Sequence, residues 1–355
     1  MAYDAFPVAC HPFRICTAHS ATQSLMFTPL LNHDLNPERY EDQLESELQQ
    51  VDVDFDAGDH AWTIEERTED QARRRREHAA TDFWAFDSIY FPPSIYRQGY
   101  SEPGDFHRTL AEHGYRKGLW IELAARKHGK SVTLKKLLAW LLLTDRVRLA
   151  ATLSQTLPTS RNILDDVKRF IRDNPRISYD YEPEFEVDND DAFTFTTREN
   201  GRPRHCQVFS EGRSLRGYGK AFDRPEWVLC DDLETQESSI TDHAVQKRAK
   251  FLAESYSSMS SNGTMMVAAN NFERGCLMNR LLKREQANTL PDDWHVNVYP
   301  AWTDERGPLW PERFPAQSKR ELREMLDPFD EEEWSGDYQQ NPQPPSGRFF
   351  KRKHY

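Results

Sequence analysis

The sequence lacks a long apolar run and a surplus of positive charge. Its longest uninterrupted apolar stretch, residues 137–143, is far shorter than the ~20 residues that a membrane-spanning helix needs. The N-terminus also lacks a charged-then-apolar leader. The formal net charge is −12, whereas a protein that coats nucleic acid carries an excess of Lys and Arg. We therefore expect no membrane partner, and contact with DNA through a local basic patch at most.

Cysteines are few, and their positions along the sequence do not suggest disulfide pairs. The chain has five, an odd number scattered along 355 residues, which predicts no disulfide framework and is typical of a reducing, intracellular compartment. Four residues of metal-binding type cluster in CHPFRICTAH, namely Cys10, His11, Cys16 and His19. Their spacing matches no common zinc pattern, so we expect ordinary side chains there rather than a zinc site.

Length and composition predict a folded protein with one large domain and appendages. Aromatic residues make up 12% of the chain, too many for a disordered protein, although charged residues reach 29%. Residues 1–80 read as a leader with no regular apolar period, and the sequence does not indicate its role. The arginines at 73–76 are expected to lie on a solvated helix face. We assign residues 81–300 to the core domain and 301–355 to a smaller C-terminal segment.

From residue 82 onward, short apolar runs alternate with segments of helical periodicity. GLWIELA, RVRLAATL, PEWVLCDDLE and GTMMVAANN are typical of strands, whereas KSVTLKKLLAWLLL, SRNILDDVKRFIRDN and TDHAVQKRAKFLAESYSS are typical of helices. Strands that alternate with helices of this length indicate a mostly parallel sheet. The predicted fold class is therefore α/β, with helices covering both faces of the sheet.

A Gly-Lys-Ser triplet follows the first predicted strand and opens the first predicted helix, in LAARKHGKSVTLKKLL. A phosphate-binding loop needs a buried strand, a tight turn, a lysine, a hydroxyl and a helix N-terminus in this order. Gly129 would let the backbone approach the phosphates, Lys130 would bind the β- and γ-phosphates, and Ser131 would bind Mg²⁺. Ala124 replaces the first glycine of the usual pattern, so the triplet alone leaves a chance match open.

The stretch EWVLCDDLE supplies the acidic strand that such a loop requires downstream. Its apolar part is typical of a buried strand, and Asp231 comes at the carboxyl end, where open α/β sheets bind ligands. Asp231 would hold Mg²⁺, and Asp232 or Glu234 would orient and deprotonate the attacking water. An exposed acidic turn is the alternative. Because both motifs occur in the required order, the residues predict a site that binds and hydrolyses ATP with Mg²⁺.

These motifs resemble the large terminase subunits of tailed bacteriophages and related viruses, the motors that pack DNA into preformed capsids. ARKHGKS is similar to the family's variant phosphate loop, in which an arginine precedes the glycine by three residues, and Arg126 stands there. FHRTLAEHG, VRLAATLSQT, GRSLRGYGKAFDRPEWVLCDDLE and TMMVAANNF resemble further family segments in the same order. The resemblance runs from residue 82 to the C-terminus and leaves the leader unmatched.

The resemblance implies a P-loop NTPase fold of the RecA/ASCE-like type with a lid-like C-terminal segment. It implies that Arg126 reaches the γ-phosphate as an arginine finger, its alternative being a surface arginine. Arg216 would act on a neighbouring subunit's ATP or form a structural salt bridge. Asn270 would sense the γ-phosphate, although the family usually has a small polar pair near here. The residues expected to contact the nucleotide are Ala124, Ala125, Arg126, Lys127, His128, Gly129, Lys130, Ser131 and Asp231.

The function that the resemblance implies is ATP-driven translocation of double-stranded DNA into a capsid. The expected partners are viral DNA, the portal or capsid vertex, the small terminase subunit and further copies in a homo-oligomeric ring, expected to be a pentamer; an isolated domain would be a monomer. The expected location is the host-cell cytoplasm. The chain ends before the carboxylate cluster of the family's nuclease domain, so no nuclease activity is expected. The alternatives are a helicase-like P-loop ATPase and a non-hydrolysing nucleotide-binding assembly protein.

Overall fold

The computed structural model of the protein describes residues 68–92, 101–213, 215–216, 218, 224–235 and 241–343. The predicted leader up to residue 67, with the cysteines and histidines at 10–19, lies outside these residues, as does the end of the chain from residue 344. Within the described ranges, no helix is long and apolar enough to cross a bilayer.

Eight strands of the described ranges form one sheet, and its order explains how distant motifs meet. In chain order the strands are β1 (Gly118–Ala124), β2 (Leu149–Ser154), β3 (Glu184–Asp188), β4 (Ala192–Thr197), β5 (Asn200–Ser210), β6 (Trp227–Asp231), β7 (Thr264–Ala269) and β8 (Trp294–Tyr299). Across the sheet the order is β3-β4-β5-β2-β6-β7-β1-β8. The strands from β5 to β8 in this order are parallel, whereas β3 and β4 add an antiparallel extension. The predicted mostly parallel sheet is confirmed.

Helices connect the parallel strands and cover the sheet. They are α1 (Glu69–Ala79), α2 (Phe83–Tyr90), α3 (Asp105–Gly114), α4 (Lys130–Leu143), α5 (Leu157–Arg172), α6 (Pro175–Tyr181), α7 (Asp242–Ser257), α8 (Leu277–Gln286), α9 (Lys319–Leu326) and α10 (Glu331–Glu333), the last continuing into a π-helical turn (Trp334–Tyr338). A short hairpin, β9 (Trp302–Thr303) with β10 (Gly307–Pro308), lies in the C-terminal segment. The strand β1 and the helix α4 have the predicted limits.

Helices pack on both faces of the sheet because the buried strands alternate their side chains between two apolar cores. In β1, Trp120 joins a core that includes α1, α2, α4 and α5, whereas Leu119 and Ile121 join a second core with α7 and α8. A phosphate-loop strand followed by a helix, with the acidic strand β6 separated from β1 by β7, is the P-loop NTPase arrangement of the RecA/ASCE-like type. The predicted fold class is therefore confirmed.

The helix α1, which carries the arginine run, belongs to the compact region built on the eight-stranded sheet. Nε1 of Trp140 donates a hydrogen bond to the Ala79 carbonyl at 2.8 Å, which ties the end of α1 to α4. Arg75 forms a bidentate pair with the buried Asp180, at 2.7 and 2.6 Å. Arg76 is also buried, so the expectation of a solvated arginine face is wrong for these two residues. The compact region includes α1, which the boundary predicted at residue 80 had assigned to the leader.

Candidate nucleotide-binding site

The loop between β1 and α4 turns through a glycine that no other residue replaces easily. Gly129 is the N-cap of α4 and has φ +73°, in the left-handed region that favours glycine. A Cβ at this position would lie 3.1 Å from Nε2 of His107 and 3.3 Å from the ring of Trp310. Both backbone conformation and space therefore require glycine here. The turn directs the first N–H groups of α4 towards the carboxyl edge of the sheet, a favourable place for phosphate.

His107, on α3, supports the loop from behind. Its Nδ1 accepts a hydrogen bond from the Gly104 N–H at 3.0 Å, so the proton sits on Nε2, which donates to the His128 carbonyl at 2.9 Å. Burial lowers the pKa of His107 to about 3, which keeps the ring neutral. Sequence reasoning singled out the segment FHRTLAEHG but gave His107 no role, because that role comes from contacts 21 positions away.

The side chains of Lys127 and His128 are engaged by the protein rather than directed at a ligand. The Lys127 ammonium donates to the Leu326 carbonyl at 3.2 Å, at the end of α9. Nδ1 of His128 hydrogen-bonds the Arg126 carbonyl at 2.7 Å, and burial lowers the pKa of this ring to about 4. Ala124 and Ala125 are fully buried. The N–H groups of Ala125 and Arg126 donate to the carbonyls of Tyr299 and Asp337, each at 3.0 Å. Phosphate contacts from this stretch are thus left to the Arg126 side chain and to the backbone that follows it.

Lys130 joins the loop to the end of β7. Its Nζ donates to Oδ1 of Asn270 at 2.8 Å and to the Ala124 carbonyl at 3.2 Å. Burial lowers the pKa of Lys130, while the carboxylates of Asp231 and Asp232 act in the opposite direction. The structure therefore brings together the predicted phosphate lysine, the predicted sensor asparagine and both aspartates at the end of β6.

Ser131 and Asp231 form the oxygen pair expected to hold the metal. Burial together with the neighbouring Asp232 raises the pKa of Asp231, and the Ser131 hydroxyl is near enough to that carboxylate to act in the opposite direction. A hydroxyl and a buried carboxylate beside a phosphate loop are hard oxygen ligands, which suit Mg²⁺ with its remaining positions left to water and phosphate. The residues present thus fit the predicted metal.

Asp232 and Glu234, the two candidate bases, have different surroundings. Asp232 has an exposed side chain and φ +50° at the turn after β6. Glu234 accepts hydrogen bonds from the N–H groups of Leu277 at 2.8 Å and Met278 at 3.2 Å, one on each carboxylate oxygen. It thereby satisfies the N-terminus of α8, and burial raises its pKa. Glu234 is occupied as a helix cap, whereas Asp232 faces solvent next to Asp231.

The two predicted arginines lie in different places. Arg126 is 44% exposed, and its NH1 lies 3.3 Å from Glu333 Oε1 and 3.8 Å from Asp337 Oδ2. Arg216 is 76% exposed and has its NH1 3.9 Å from Glu254 Oε1, on α7. Arg126 therefore belongs to the site around the loop and is paired with the C-terminal segment.

The C-terminal segment packs directly on the loop, through residues that sequence reasoning did not identify. We call residues 331–341 the C-terminal strap. Its Asp337 carbonyl accepts a hydrogen bond from the Arg126 N–H at 3.0 Å, and the Asp337 carboxylate is near enough to influence the pKa of Lys130. Upstream of the strap, the Trp310 ring covers Gly129 and packs edge-on against His107, with centroids 4.5 Å apart. Pattern reasoning could not find these residues, because they lie some 180 to 210 positions beyond the loop.

The arrangement offers what phosphate chemistry requires at one edge of the sheet. The first N–H groups of α4 and the Lys130 ammonium would neutralise phosphates, Ser131 and Asp231 would supply metal ligands, and an exposed carboxylate, Asp232, lies beside them.

Comparison with solved structures finds large terminases of bacteriophages. The chain is similar to the large terminase from a thermophilic bacteriophage in complex with ADP, at 9% identity and a TM-score of 0.42 over 68% of this chain and 52% of that one. It is similar to the Thermus phage P74-26 large terminase ATPase domain, at 13% identity and a TM-score of 0.44 over 68% of this chain and 98% of that one. It is also similar to the HK97 bacteriophage large terminase, at 12% identity and a TM-score of 0.40 over 63% of this chain and 46% of that one.

The matched region thus spans about half the length of the ADP-bound terminase and of the HK97 protein, and nearly all of the P74-26 domain. No family model matches the chain. No curated protein matches it either.

Proposed function

We propose that this protein binds ATP with Mg²⁺ and hydrolyses it. The observation that carries the proposal is the convergence of Lys130 and Ser131, from the start of α4, with Asp231 and Asp232, from the end of β6. These strands are separated by β7, whose following residue Asn270 accepts a hydrogen bond from Lys130. A site that only bound ATP, without hydrolysing it, would not need the second, exposed carboxylate at this edge of the sheet.

Each residue has a distinct task in the proposed reaction. The loop N–H groups and Lys130 bind and neutralise the β- and γ-phosphates. Ser131 and Asp231 would hold Mg²⁺, which supplies further neutralisation of phosphate charge when it is bound. Asp232 orients the attacking water and accepts its proton, because Glu234 is committed to the N-terminus of α8. Asn270 exchanges its contact with Lys130 for the γ-phosphate, and Arg126 stabilises charge that develops on the transferred phosphoryl group.

The work that hydrolysis drives is proposed to be translocation of double-stranded DNA into a viral capsid. The support is the ordered set of sequence blocks that resemble large terminase subunits, together with a C-terminal strap that contacts the loop. On this proposal the partners are viral DNA, the portal vertex, the small terminase subunit and other copies of the chain in a ring, in the host-cell cytoplasm. Arg216, exposed on the side of α7, is proposed to reach a neighbouring subunit's ATP.

The direct test is ATP turnover, measured as phosphate release with Mg²⁺, with and without double-stranded DNA, for the wild type and for Lys130→Ala. We expect turnover in the wild type, acceleration by DNA, and a loss of at least about 100-fold in the variant, since a phosphate-binding cation contributes several kcal/mol to the transition state. Equal rates for the two proteins would exclude the ATPase. Turnover without any response to DNA, even with portal and small subunit added, would favour a different P-loop ATPase.

A further inference from the structure

A cavity of about 340 Å³ lies beside the segment that follows β7. Its walls come from that segment, from one face of α8 and from residues 340–342 at the end of the chain's described part. Residues 124–131 and 231–234 do not line it, so the cavity is separate from the nucleotide site. Ligand-binding cavities in proteins begin at roughly 300 Å³, and this one therefore has the size of a small-molecule site.

The charged side chains among the described residues that line this cavity are all cations. Arg274 and Lys283 give it two positive charges, although the chain as a whole has a formal net charge of −12. Nε of Arg274 donates to the Pro342 carbonyl at 3.0 Å, which fixes the guanidinium at the wall and leaves NH1 and NH2 for a ligand. Two cations without a carboxylate in the same concave wall favour an anionic ligand.

The remaining polar side chains of the wall are amides, and one of them is buried without a partner. Asn279, on α8, is 7% exposed, and its Oδ1 has no hydrogen-bond partner in the described part of the chain. Leaving a buried amide unpaired is costly, so a ligand that pairs with Asn279 gains affinity. Gln286 and Asn341 add two exposed amides. By contrast, Asn271 donates from Nδ2 to the Gln340 carbonyl at 2.8 Å, and this pair holds the wall in place.

We propose that this cavity binds a nucleoside monophosphate, with its phosphate on Arg274 and Lys283 and its base or sugar against the amides. A guanidinium binds phosphate oxygens through parallel N–H groups, and a phosphate monoester carries about two negative charges at pH 7, one for each cation. Amide side chains offer a donor and an acceptor together, which suits the edge of a nucleobase. The cavity has the volume of about ten water molecules at ~30 Å³ each, so an inorganic anion alone would leave most of it unfilled.

Calorimetric titration of the 355-residue chain with AMP tests this proposal. The titrations use a Lys130→Ala background without Mg²⁺, which removes the phosphate loop as a competing site and makes the result independent of ATP hydrolysis. We expect Arg274→Gln to weaken AMP binding by about tenfold or more and Lys283→Gln by about threefold or more, because each loses a charged partner of the phosphate. Arg284→Gln is the matched control, since Arg284 lies next to Lys283 on α8 but donates to the Thr289 carbonyl at 2.7 Å and does not line the cavity. It should leave the affinity for AMP within about twofold.

Adenosine and inorganic phosphate are the comparison ligands, and each should bind at least about tenfold more weakly than AMP, because each fills only part of the cavity. The inference is overturned if AMP does not bind at millimolar concentration, or if Arg284→Gln weakens AMP binding as much as Lys283→Gln does. Equal affinity for AMP and adenosine overturns it, since the cations would then hold no phosphate. Equal affinity for AMP and phosphate overturns it too, because the cavity would then be a general anion site. Should Arg274→Gln unfold through the loss of its Pro342 contact, the exposed Lys283→Gln decides the result.

Discussion

Nζ of Lys130 lies 2.8 Å from Oδ1 of Asn270, so the phosphate loop and the end of β7 are joined directly. The central strand β7 lies between β1, which carries the loop, and β6, which carries the aspartates. Any movement of Lys130 towards a phosphate therefore changes the partner of Asn270. Because Asn270 is a neutral amide, Lys130 can leave it for an anion at a lower free-energy cost than it could leave a carboxylate.

The first prediction concerns this contact. Asn270→Ala removes the hydrogen-bond partner of Lys130 and the proposed contact with the γ-phosphate, so we expect turnover to fall about tenfold or more. The affinity for ADP should stay within about threefold, because the loop and Lys130 remain. Steady-state phosphate release and ADP titration measure the two quantities. If turnover is unchanged, Asn270 has no part in hydrolysis.

The second prediction separates the two candidate bases. Asp232→Asn should abolish most turnover and retain ATP binding, because the amide cannot accept a proton from water. Glu234→Gln should retain turnover but lower the free energy of unfolding by about 1 kcal/mol, since a neutral amide is a weaker partner for the N–H groups of Leu277 and Met278. Phosphate release and denaturant unfolding of both variants test this. The assignment is reversed if Glu234→Gln is inactive and Asp232→Asn is active.

The third prediction concerns the turn of the loop. Gly129→Ala places a Cβ 3.1 Å from His107 and 3.3 Å from Trp310, in a backbone conformation with φ +73°. We expect a loss of about 1–3 kcal/mol in the free energy of unfolding and at least about tenfold weaker ATP binding, because the loop must shift. Gly212→Ala is a suitable control, since a Cβ there meets nothing within 4 Å. Equal effects of the two substitutions would contradict this account of Gly129.

The fourth prediction is a dependence of stability on pH. Burial holds the pKa of His107 at about 3 and that of His128 at about 4, below the value of about 6.5 in an unfolded chain. Below pH ~6.5 the unfolded chain therefore binds protons that the folded protein does not, and the free energy of unfolding falls by up to about 1.4 kcal/mol per pH unit for each histidine, down to about pH 4. Denaturant unfolding at several pH values measures this slope.

The variant His107→Gln should lose the contribution of one histidine to that slope, up to about 1.4 kcal/mol per pH unit. The glutamine amide can still donate to the His128 carbonyl. His78→Gln, on the exposed surface of α1, is the matched control. The assignment of a buried neutral imidazole fails if the wild type and His107→Gln lose stability in parallel as the pH falls.

Local pattern was enough to predict the parts of the fold that depend on neighbouring residues. The apolar run of β1 and the leucine spacing of α4 gave their limits, because a fully buried strand and its following helix leave a strong signal in the sequence. The antiparallel extension β3–β4 and the edge strand β8 were not predicted. Their identity as sheet members depends on pairing with distant strands, which periodicity does not reveal.

Long-range contacts account for what the sequence left open at the site. The choice between Asp232 and Glu234 depends on the position of the α8 N-terminus, some 43 residues beyond Glu234. The pairing of Arg126 depends on Glu333, 207 residues away. The pairing of Arg75 likewise depends on a distant residue, Asp180. A charged residue signals that it needs a partner, but only the fold determines which partner it finds.

The most direct test of the central claim is a crystal structure of the protein with a non-hydrolysable ATP analogue and Mg²⁺. We expect the phosphates to be bound by the backbone of residues 127–131, Lys130 to contact them and to be released from Asn270, and a metal ion to lie between Ser131 and Asp231. An analogue bound elsewhere on the surface, with Lys130 still on Asn270 and no metal near Asp231, would contradict the claim that this edge of the sheet is a nucleotide site.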